Sequence, residues 1–581
     1  MNSDEMSAAN SEGTLPTSRH MEIEALMRAV RWPNADRAAV MTLTGLLVAA
    51  RRYDEASEYF LDRAEAEPQQ PLYEALAGFF QAQAGHDIDA AVATLDHAAQ
   101  RDLGLPNFLR GLALSGMPGF AGRADTAVSD LELVVAVKDQ FPPGLLRAAR
   151  YALAKAYRAV GRDDDAGAAL ELSGYAQKAE DVPVLTADWS LTARDGARFA
   201  PPRFIEVVPG VHLAQGFDFS DFAFVDTGAG IVVIDTGSNE RHMQEALAEL
   251  RKETAAPITH VILTHAHWDH VGGLSAVNGY GVQVIAQANF GEELRLQSSV
   301  PVPSPYFLAE GESQEQHVTP DRLVGEKESL RVGDMEFVLY PTSGGETSDG
   351  LLIHLPQREV VFTGDMIMPY IGAPFLAEGS VEGLLKAMSL VQGLSPRLLI
   401  QGHPPITELF TIETFPALGA ALRELNDAVV AAIRSGRTLT EILHLNHLPD
   451  LLRDHPSAVV PYMSIRDNLI KRVYHQRTGY WKSGGEGIEH IAPADWAAAL
   501  NLLGGSQGAF TTAAGQILQS GNEALALKIA DYGLMNYPGS GPLMTLRRAI
   551  LYRLAERHQQ LNPFKFVYYA GLADLELAPA Q

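Results

Sequence analysis

Four side chains that can bind a metal ion lie within six residues of one another, in the segment THAHWDH at residues 264–270. They are His265, His267, Asp269 and His270. Imidazole and carboxylate groups suit zinc and similar divalent ions. A chance meeting of surface or core histidines would explain one such residue more easily than four in so short a run. The pattern therefore predicts a metal site.

The elements around this segment explain how it could be positioned. The apolar run ITHVIL precedes it and reads as a strand, and VGGL follows with glycines that permit a tight turn. Residues two apart in a strand point to the same side, so His265 and His267 can converge on one ion while Asp269 and His270 face a second. Ligand sites in α/β sheets lie at such strand ends.

Composition limits the other functions that the chain could have. The protein has 581 residues, which suggests three or more domains, and its formal net charge is −26. That charge disfavours nucleic acid as a partner, because no Lys/Arg-rich tract offsets it. The sequence contains no cysteine, so disulfides and thiolate ligands are excluded and any metal must be held by His, Asp and Glu.

Periodicity divides the chain into segments of different type. Residues 1–20 are expected to form a disordered leader, and residues 21–180 show helical hairpins that resemble tetratricopeptide (TPR) repeats, with an irregular helical domain as the alternative. Residues 200–411 alternate strands and helices, which indicates a layered α/β domain. Residues 412–581 are helical again.

The N-terminal segment also bears on localisation. It has no basic region followed by an apolar one, and so it does not read as a signal peptide. The apolar stretch 39–50 is too short to span a bilayer. We therefore expect a cytoplasmic protein without a membrane span.

The run H-x-H-x-D-H resembles the signature of the metallo-β-lactamase superfamily, whose fold is an αββα sandwich with a two-metal site between its sheets. The resemblance implies further ligands at Asp365 in FTGDMI and His403 in LLIQGHPP, where a glycine precedes each at a strand end. It also implies that Asp235 in VVIDTG supports the metal loop from outside the ligand set. The alternative for Asp235 is a simple turn residue.

One ligand position departs from the general pattern of the superfamily. The turn GGET places Glu346 where the superfamily usually has histidine, and Asp365 follows nineteen residues later. His354 in DGLLIHLP is the rival, but it would project from a strand rather than a loop. Glutamate at this position is a mark of the alkylsulfatases, and the chain resembles that branch.

The C-terminal part is also similar to this branch. Residues 479–538 resemble the alkylsulfatase dimerisation domain, and the whole resemblance covers about residues 200–579, strongest in the metal motif and around residues 479–508. It implies a fold with an αββα metallo-β-lactamase sandwich flanked by N-terminal and C-terminal helical domains, and a homodimer formed through the C-terminal one. The segment after Asp365, MIMPYIGAPFLAEGS, departs from the branch because it has neither Arg nor His.

The resemblance implies a hydrolase with two divalent metal ions, which we expect to be zinc. His265, His267 and Glu346 would hold one ion, and Asp269, His270 and His403 the other, with Asp365 bridging. A metal-bound hydroxide would then attack an alkyl sulfate or a related ester with an apolar tail, with Asp269 and Asp365 as catalytic residues. The alternatives are hydrolysis of a lactone or β-lactam, and a non-catalytic metal-binding protein whose N-terminal helical domain docks a protein partner.

The substrate pocket is the least specific part of this interpretation. Two apolar, proline-broken loops, 300–311 and 368–375, fall near the predicted site. Loops of this kind often carry specificity. Tyr306, Phe307, Tyr370 and Phe375 would favour an apolar or aromatic substrate portion, unless the loops pack on their own domain.

Overall fold

The computed structural model describes residues 18–117, 122–175, 182–299, 308, 312, 315–369, 379–479 and 489–578. Most of the predicted leader and the segment 480–488 lie outside these residues, and the first helix begins at Ser18. Among the described residues, no helix combines the length and the apolar character that crossing a membrane requires.

Helices precede the sheets in the chain, and consecutive helices pack against one another. Turn residues end several of them. Gly85, for example, adopts a left-handed conformation after the fourth helix and closes its last turn. The helices are α1 (Ser18–Val30), α2 (Arg37–Ala50), α3 (Tyr53–Ala66), α4 (Pro71–Ala84), α5 (Ile88–Arg101), α6 (Leu105–Gly116), α7 (Ala124–Ala136), α8 (Pro143–Ala159) and α9 (Asp163–Leu172).

Two larger sheets face each other in the middle of the chain. Before them, a two-stranded sheet of β1 (Ser190–Thr192) and β2 (Gly196–Arg198) lies between the N-terminal helices and the larger sheets. The first large sheet has the order β3 to β9, and its strands from β6 onward are parallel. These strands are β3 (Arg203–Val208), β4 (Val211–Gln215), β5 (Phe222–Asp226), β6 (Ile231–Ile234), β7 (Ile258–Ile262), β8 (Gln283–Gln287) and β9 (Arg322–Val324).

The second large sheet has the order β10 to β14, with antiparallel pairs except between its last two strands, which are parallel. Apolar side chains from both sheets interdigitate, among them Val225 and Ile262 from the first and Phe337 and Ile353 from the second. The strands are β10 (Glu328–Val332), β11 (Met335–Pro341), β12 (Leu351–Leu355), β13 (Val360–Phe362) and β14 (Leu398–Ile400).

Helices cover the outer face of each sheet. Met243 and Leu250 of α10 pack on the outside of the first sheet, and Leu384 and Val391 of α13 pack on the outside of the second. This arrangement is the predicted αββα sandwich, so the predicted fold class is confirmed. The helices of this part are α10 (Glu240–Glu253), α11 (Trp268–Val271), α12 (Phe290–Ser298), α13 (Val381–Leu394) and α14 (Pro404–Leu409).

Several C-terminal helices share one apolar core with the N-terminal helices and α13, and the helices between residues 507 and 558 also form a smaller core of their own. Backbone pairing at 2.8 Å in both directions between Leu191 and Leu577 ties the chain end to the small sheet. The domain boundaries 1–20, 21–180, 200–411 and 412–581 stay a prediction. The last helices are α15 (Phe415–Arg434), α16 (Leu439–His444), α17 (Val459–Thr478), α18 (Pro493–Leu502), α19 (Gln507–Gln519), α20 (Glu523–Asn536), α21 (Gly541–His558) and α22 (Pro563–Leu572).

Candidate metal centre

The candidate ligands lie in loops and short turns that follow strands at one edge of the sandwich. His265 and His267 come after β7, and Asp269 and His270 lie in the short helix α11. Glu346 lies in the loop between β11 and β12. Asp365 follows β13 and His403 follows β14. Because parallel neighbouring strands end at the same edge of a sheet, residues far apart in the sequence meet here.

Two glycines make this close approach of loops feasible. Gly364 has a φ of 54°, and a side chain there would collide with Thr264 and crowd the His265 ring. A side chain at Gly402 would collide with the Asp365 carboxylate. The glycine before each of Asp365 and His403 is therefore a packing requirement of the site.

The first ligand group contains His265, His267 and Glu346, which are buried and whose candidate ligand atoms lie within 4.8 Å of one another. One carboxylate oxygen of Glu346, Oε2, lies 3.3 Å from His265 Nε2 and 3.2 Å from His267 Nδ1. Three ligand atoms thus converge on one point.

The second ligand group contains Asp269, His270, Asp365 and His403, which are also buried. His403 Nε2 lies 2.8 Å from Asp365 Oδ2 and 3.4 Å from Asp269 Oδ2. His270 Nε2 lies 3.3 Å from Asp269 Oδ2 and 3.6 Å from Asp365 Oδ1. The two groups divide the seven predicted ligands as the sequence interpretation did, with Asp365 in the second group.

Several of these atoms are buried and have no hydrogen-bond partner among the residues that the structure describes. They are His265 Nε2, His270 Nε2, both carboxylate oxygens of Glu346, and Asp365 Oδ1. Leaving buried polar and ionised groups unpartnered costs considerable free energy. Cations placed among these atoms would remove that cost, and nitrogen and oxygen donors of this kind suit divalent ions. The residues therefore fit a pair of metal ions.

The pKa shifts at the site show that its buried carboxylates depend on nearby positive charge to stay ionised. Burial alone would raise the pKa of Asp269, but His270 and His403 lower it to about 2. Burial would lower the pKa of His403, but Asp365 raises it to about 9. Burial also raises the pKa of Glu346, whereas His267 brings it below its ordinary value. The carboxylates are thus held in the ionised form that binds metal ions.

Hydrogen bonds at Nδ1 orient three of the histidines. The Nδ1 atom of His403 donates to the Phe219 carbonyl at 2.9 Å, and that of His270 lies 3.0 Å from Asp235 Oδ2. His265 Nδ1 lies 3.1 Å from Thr264 Oγ1, whose hydroxyl donates to Asp235. Each contact turns Nε2 toward the ligand groups, as the outer contacts of metal-binding histidines commonly do.

Asp235 has the geometry of a supporting residue. It is a non-glycine residue with a positive φ of 57°, and its Oδ1 accepts from the Thr264 backbone N–H at 2.7 Å. A left-handed conformation is strained for aspartate and persists where the surroundings require it. Asp235 thereby links the end of β6 to the loop that carries the ligands.

His354, the rival to Glu346, lies elsewhere. It is in the middle of β12, where it pairs with Val338 of β11 and Val361 of β13. It belongs to neither the first nor the second ligand group. The side chains of Tyr306, Phe307, Tyr370 and Phe375, which we predicted to line the pocket, lie outside the described residues.

Sequence reasoning missed two features around the ligands. The first is Asp349, which is buried beside His265 and His267, where burial raises its pKa. Its position three residues after Glu346 was the signal that could have identified it. The second is an aromatic cluster on His403, formed by Phe199, Phe219 and Phe564 with ring centroids 5.0–5.9 Å from the imidazole. Phe564 comes from α22, so no local pattern could reveal it.

The chain is similar in sequence and in fold to several known proteins. Residues 216–403 match the Metallo-beta-lactamase superfamily. The alkyl/aryl-sulfatase BDS1 of Saccharomyces cerevisiae is 22% identical over 384 residues, which are 59% of this chain and 59% of that protein. The linear primary-alkylsulfatase of a Pseudomonas species is 20% identical over 353 residues, or 53% of this chain and 65% of that protein.

The solved structure of the inverting sec-alkylsulfatase Pisa1 from Pseudomonas sp. is similar in fold. Its TM-score is 0.53 at 18% identity, and the match covers 64% of this chain and 65% of that one. The match covers 59% and 65% of the lengths of the two curated relatives, so the chain spans less than two thirds of either.

Proposed function

We propose that this chain, whose residues 216–403 belong to the metallo-β-lactamase superfamily, is a two-metal hydrolase of alkyl sulfate esters. The observation that carries the proposal is the pair of adjacent buried ligand groups, in which several donor atoms have no hydrogen-bond partner among the described residues. A structural ion needs only one closed set of four ligands. Seven donors in two groups favour a catalytic centre.

We propose that His265, His267 and Glu346 hold one ion and that Asp269, His270 and His403 hold the other, with Asp365 between them. When bound, two such ions supply Lewis acidity and make water a stronger nucleophile near neutral pH. We propose zinc, because each position offers two imidazole nitrogens together with carboxylate oxygens, and zinc accepts mixed imidazole and carboxylate ligands.

The protein's own residues orient and isolate this centre. Asp235 and the Phe219 carbonyl fix the rings of His270 and His403 through Nδ1. Asp269 and Asp365 are the proposed catalytic residues, and their lowered pKa values keep them ionised at neutral pH, so that each can bind a cation. Phe219 and Phe564 cover His403 and exclude water from that side.

A basic residue near the ligand loop supports a sulfate substrate. Arg472 of α17 donates a hydrogen bond to the Gly379 carbonyl. Gly379 in turn packs against the backbone of Gly345 and Glu346 so closely that a side chain at Gly379 would collide with both residues. Gly379 thus connects the guanidinium to the loop that carries Glu346, and we propose that this planar group with several donors binds a sulfate.

The segment after Asp365 favours a second candidate function. Met366, Ile367 and Met368 are buried and apolar, so this stretch offers no cation to a sulfate group. Hydrolysis of a neutral cyclic ester or amide, a lactone or a β-lactam, requires no such cation. This alternative uses the same two ligand groups and differs in the substrate alone.

A substrate panel separates the two functions. We expect sulfate release from C8 to C12 alkyl sulfates by the zinc-loaded protein, because the relatives with similar sequences are alkylsulfatases. The panel contains primary and secondary alkyl sulfates, alkyl phosphates, lactones and β-lactams, with sulfate measured by ion chromatography. Turnover of lactones or β-lactams without turnover of any alkyl sulfate would overturn the sulfate proposal and support the second candidate.

Two arginines of the same helix provide a matched pair for this panel. Arg472→Met is expected to lower kcat/KM for alkyl sulfates by about tenfold or more, since a charge-assisted hydrogen bond contributes about 1.5–3 kcal/mol. Arg477, which is exposed and pairs with Glu382 at 3.1 Å, serves as the control as Arg477→Met. Equal activity of the two variants would exclude Arg472 from sulfate binding.

We propose further that the chain forms a homodimer through its C-terminal helices. Among the described residues, seven of the fifteen exposed large apolar side chains lie between Ile491 and Met544. Three of these side chains lie in α18 or directly after it. They are Trp496, Leu502 and Leu503, with 49%, 88% and 84% of their surface accessible. Concentrated apolar exposure of this kind marks interaction surfaces.

Light scattering coupled to size-exclusion chromatography tests this proposal. We expect a dimer mass for the wild type and a monomer mass for Leu502→Asp, because a buried carboxylate at an apolar interface has no partner. Leu103, which is 75% exposed before α6, gives the matched control Leu103→Asp, and this variant should stay dimeric. A monomeric wild type at micromolar concentration would contradict the proposal.

A further inference from the structure

Four consecutive residues of the loop between β4 and β5 are almost completely buried, whereas loops usually run over the protein surface. They are Asp218, Phe219, Ser220 and Asp221, and at most 5% of the surface of each is exposed. A buried loop needs partners for its polar groups. Several partners of this segment, residues 218–221, lie in the loops that carry the candidate metal ligands.

The two middle residues of the segment contact two of the proposed ligands of the second ion. The Phe219 carbonyl accepts a hydrogen bond from Nδ1 of His403 at 2.9 Å, and the Ser220 hydroxyl donates to the backbone carbonyl of Asp269. The Phe219 ring also stacks on Trp268, the residue before Asp269, with the ring centroids 5.5 Å apart. One contact therefore orients an imidazole, and the others hold the backbone that carries a carboxylate.

The two outer residues attach the segment to neighbouring loops. The Asp218 carboxylate accepts from the Ser238 backbone N–H at 2.7 Å and from the Ser238 hydroxyl at 2.6 Å. The Asp221 backbone N–H donates to the carbonyl of Gly402, the residue before His403, at 2.7 Å. Both ends of the segment are thus fixed, so the groups that contact the ligands between them are held in place.

The side chain of Asp221 stabilises the shape of the loop itself. Its Oδ1 accepts from the Gly216 backbone N–H at 3.1 Å, which closes the loop on itself. Gly216 has a positive φ of 70°, a conformation that glycine adopts without strain. The loop is therefore preorganised, and its contacts with the ligands do not depend on those ligands alone.

A different contact supports the first ligand group. His265 Nδ1 lies 3.1 Å from Thr264 Oγ1, and the Thr264 hydroxyl donates to Asp235 at 2.7 Å. Support for this histidine thus comes from the end of β6 rather than from the loop between β4 and β5. A change in residues 218–221 should act on the second ion more strongly than on the first.

From these contacts we propose that residues 218–221 position Asp269 and His403 and thereby set the affinity of the protein for its second ion. This inference rests on the proposed metal centre. Ser220 is the positioning residue best suited to a test, because substitution with alanine removes its hydroxyl and nothing else. Residues that hold metal ligands in orientation typically contribute about 10-fold to 100-fold to metal affinity.

Isothermal titration calorimetry of the chelated full-length protein with Zn²⁺ tests the inference. We expect the wild type to bind two ions in two steps. His403→Ala and His267→Ala each remove a ligand of one ion, and the step that each variant loses is thereby assigned to its ligand group. Ser220→Ala should weaken the step of the second group by at least about tenfold and change the other step by less than about threefold.

Ser464→Ala is the matched control for Ser220→Ala. Ser464 is also buried, and its hydroxyl donates to a backbone carbonyl, that of Pro461, at 2.8 Å. It lies in α17 and belongs to neither the first nor the second ligand group. This variant should bind both ions as the wild type does. Thermal melts of the chelated proteins establish that both serine variants are folded.

Asp218→Asn provides a second variant that keeps the shape of the side chain. It offers one acceptor oxygen to Ser238 in place of two, which loosens one end of the segment. We expect the same selective loss at the second ion, of about threefold or more.

Two wild-type affinities in folded Ser220→Ala and Asp218→Asn would overturn the inference and leave the metal centre standing. Equal losses at both steps would also overturn it, because the segment would then support the whole site rather than the second group. A wild type that binds no ion would overturn the metal centre together with this inference.

Discussion

Replacing Asp365 with asparagine is expected to lower kcat/KM by about 10³-fold or more, which corresponds to about 4 kcal/mol. The reason is that bound metal ions stabilise charge in the transition state, and this stabilisation is lost when a ligand of the ions is removed. Asp365 lies 2.8 Å from His403 and 3.6 Å from His270, and it is close enough to influence the pKa of Glu346 in the other ligand group. The asparagine side chain has the same shape as that of aspartate but carries no negative charge. Only its oxygen can bind a cation, whereas both carboxylate oxygens of aspartate can. Metal content measured by mass spectrometry should fall from two ions per chain to one or none.

Two control substitutions distinguish loss of a ligand from general damage. Asp334→Asn makes the same chemical change at an exposed turn between β10 and β11. His354→Gln removes a histidine from β12, outside both ligand groups. Both variants should keep two ions and wild-type activity. Two ions per chain in Asp365→Asn would show that Asp365 is not a ligand.

Removing the metal ions with a chelator is expected to lower the stability of the protein considerably. The carboxylates of Asp269, Glu346 and Asp365 are 3–4% exposed and lie near one another, so without cations their repulsion is compensated by imidazoles alone. A ligand at about 1,000 times its Kd stabilises the native state by about 4 kcal/mol. For a domain of this size, that corresponds to a fall in Tm of roughly 10 °C.

Differential scanning calorimetry before and after dialysis against a chelator measures this effect, and added Zn²⁺ should reverse it. The Asp365→Asn variant supplies an internal check. Because it lacks one of the repelling carboxylates, its chelated form should melt above the chelated wild type, although its metal-loaded form should melt below the loaded wild type. An unchanged Tm on chelation would contradict the assignment of these residues to a metal site.

The sequence by itself determined the fold class and most of the candidate centre. Four candidate ligands lie within one strand-turn segment, and Asp365 and His403 each follow a glycine at a strand end. Both are local signals, because the geometry of a strand and the turn after it depends on a few neighbouring residues. The fold class and the relationship to alkylsulfatase-like members of the metallo-β-lactamase superfamily are confirmed. The ligand assignments, zinc, the dimer and cytoplasmic localisation stay predictions.

Tertiary structure alone decided what surrounds the ligands. Phe564 of α22 packs on His403, and the Phe219 carbonyl fixes the ring of the same histidine, although these three residues come from separate parts of the chain. Periodicity predicts that each helix has an apolar face, but it does not specify which distant face covers it. Contacts between remote segments depend on the packing of the whole chain, and here that packing determines how the histidines are oriented.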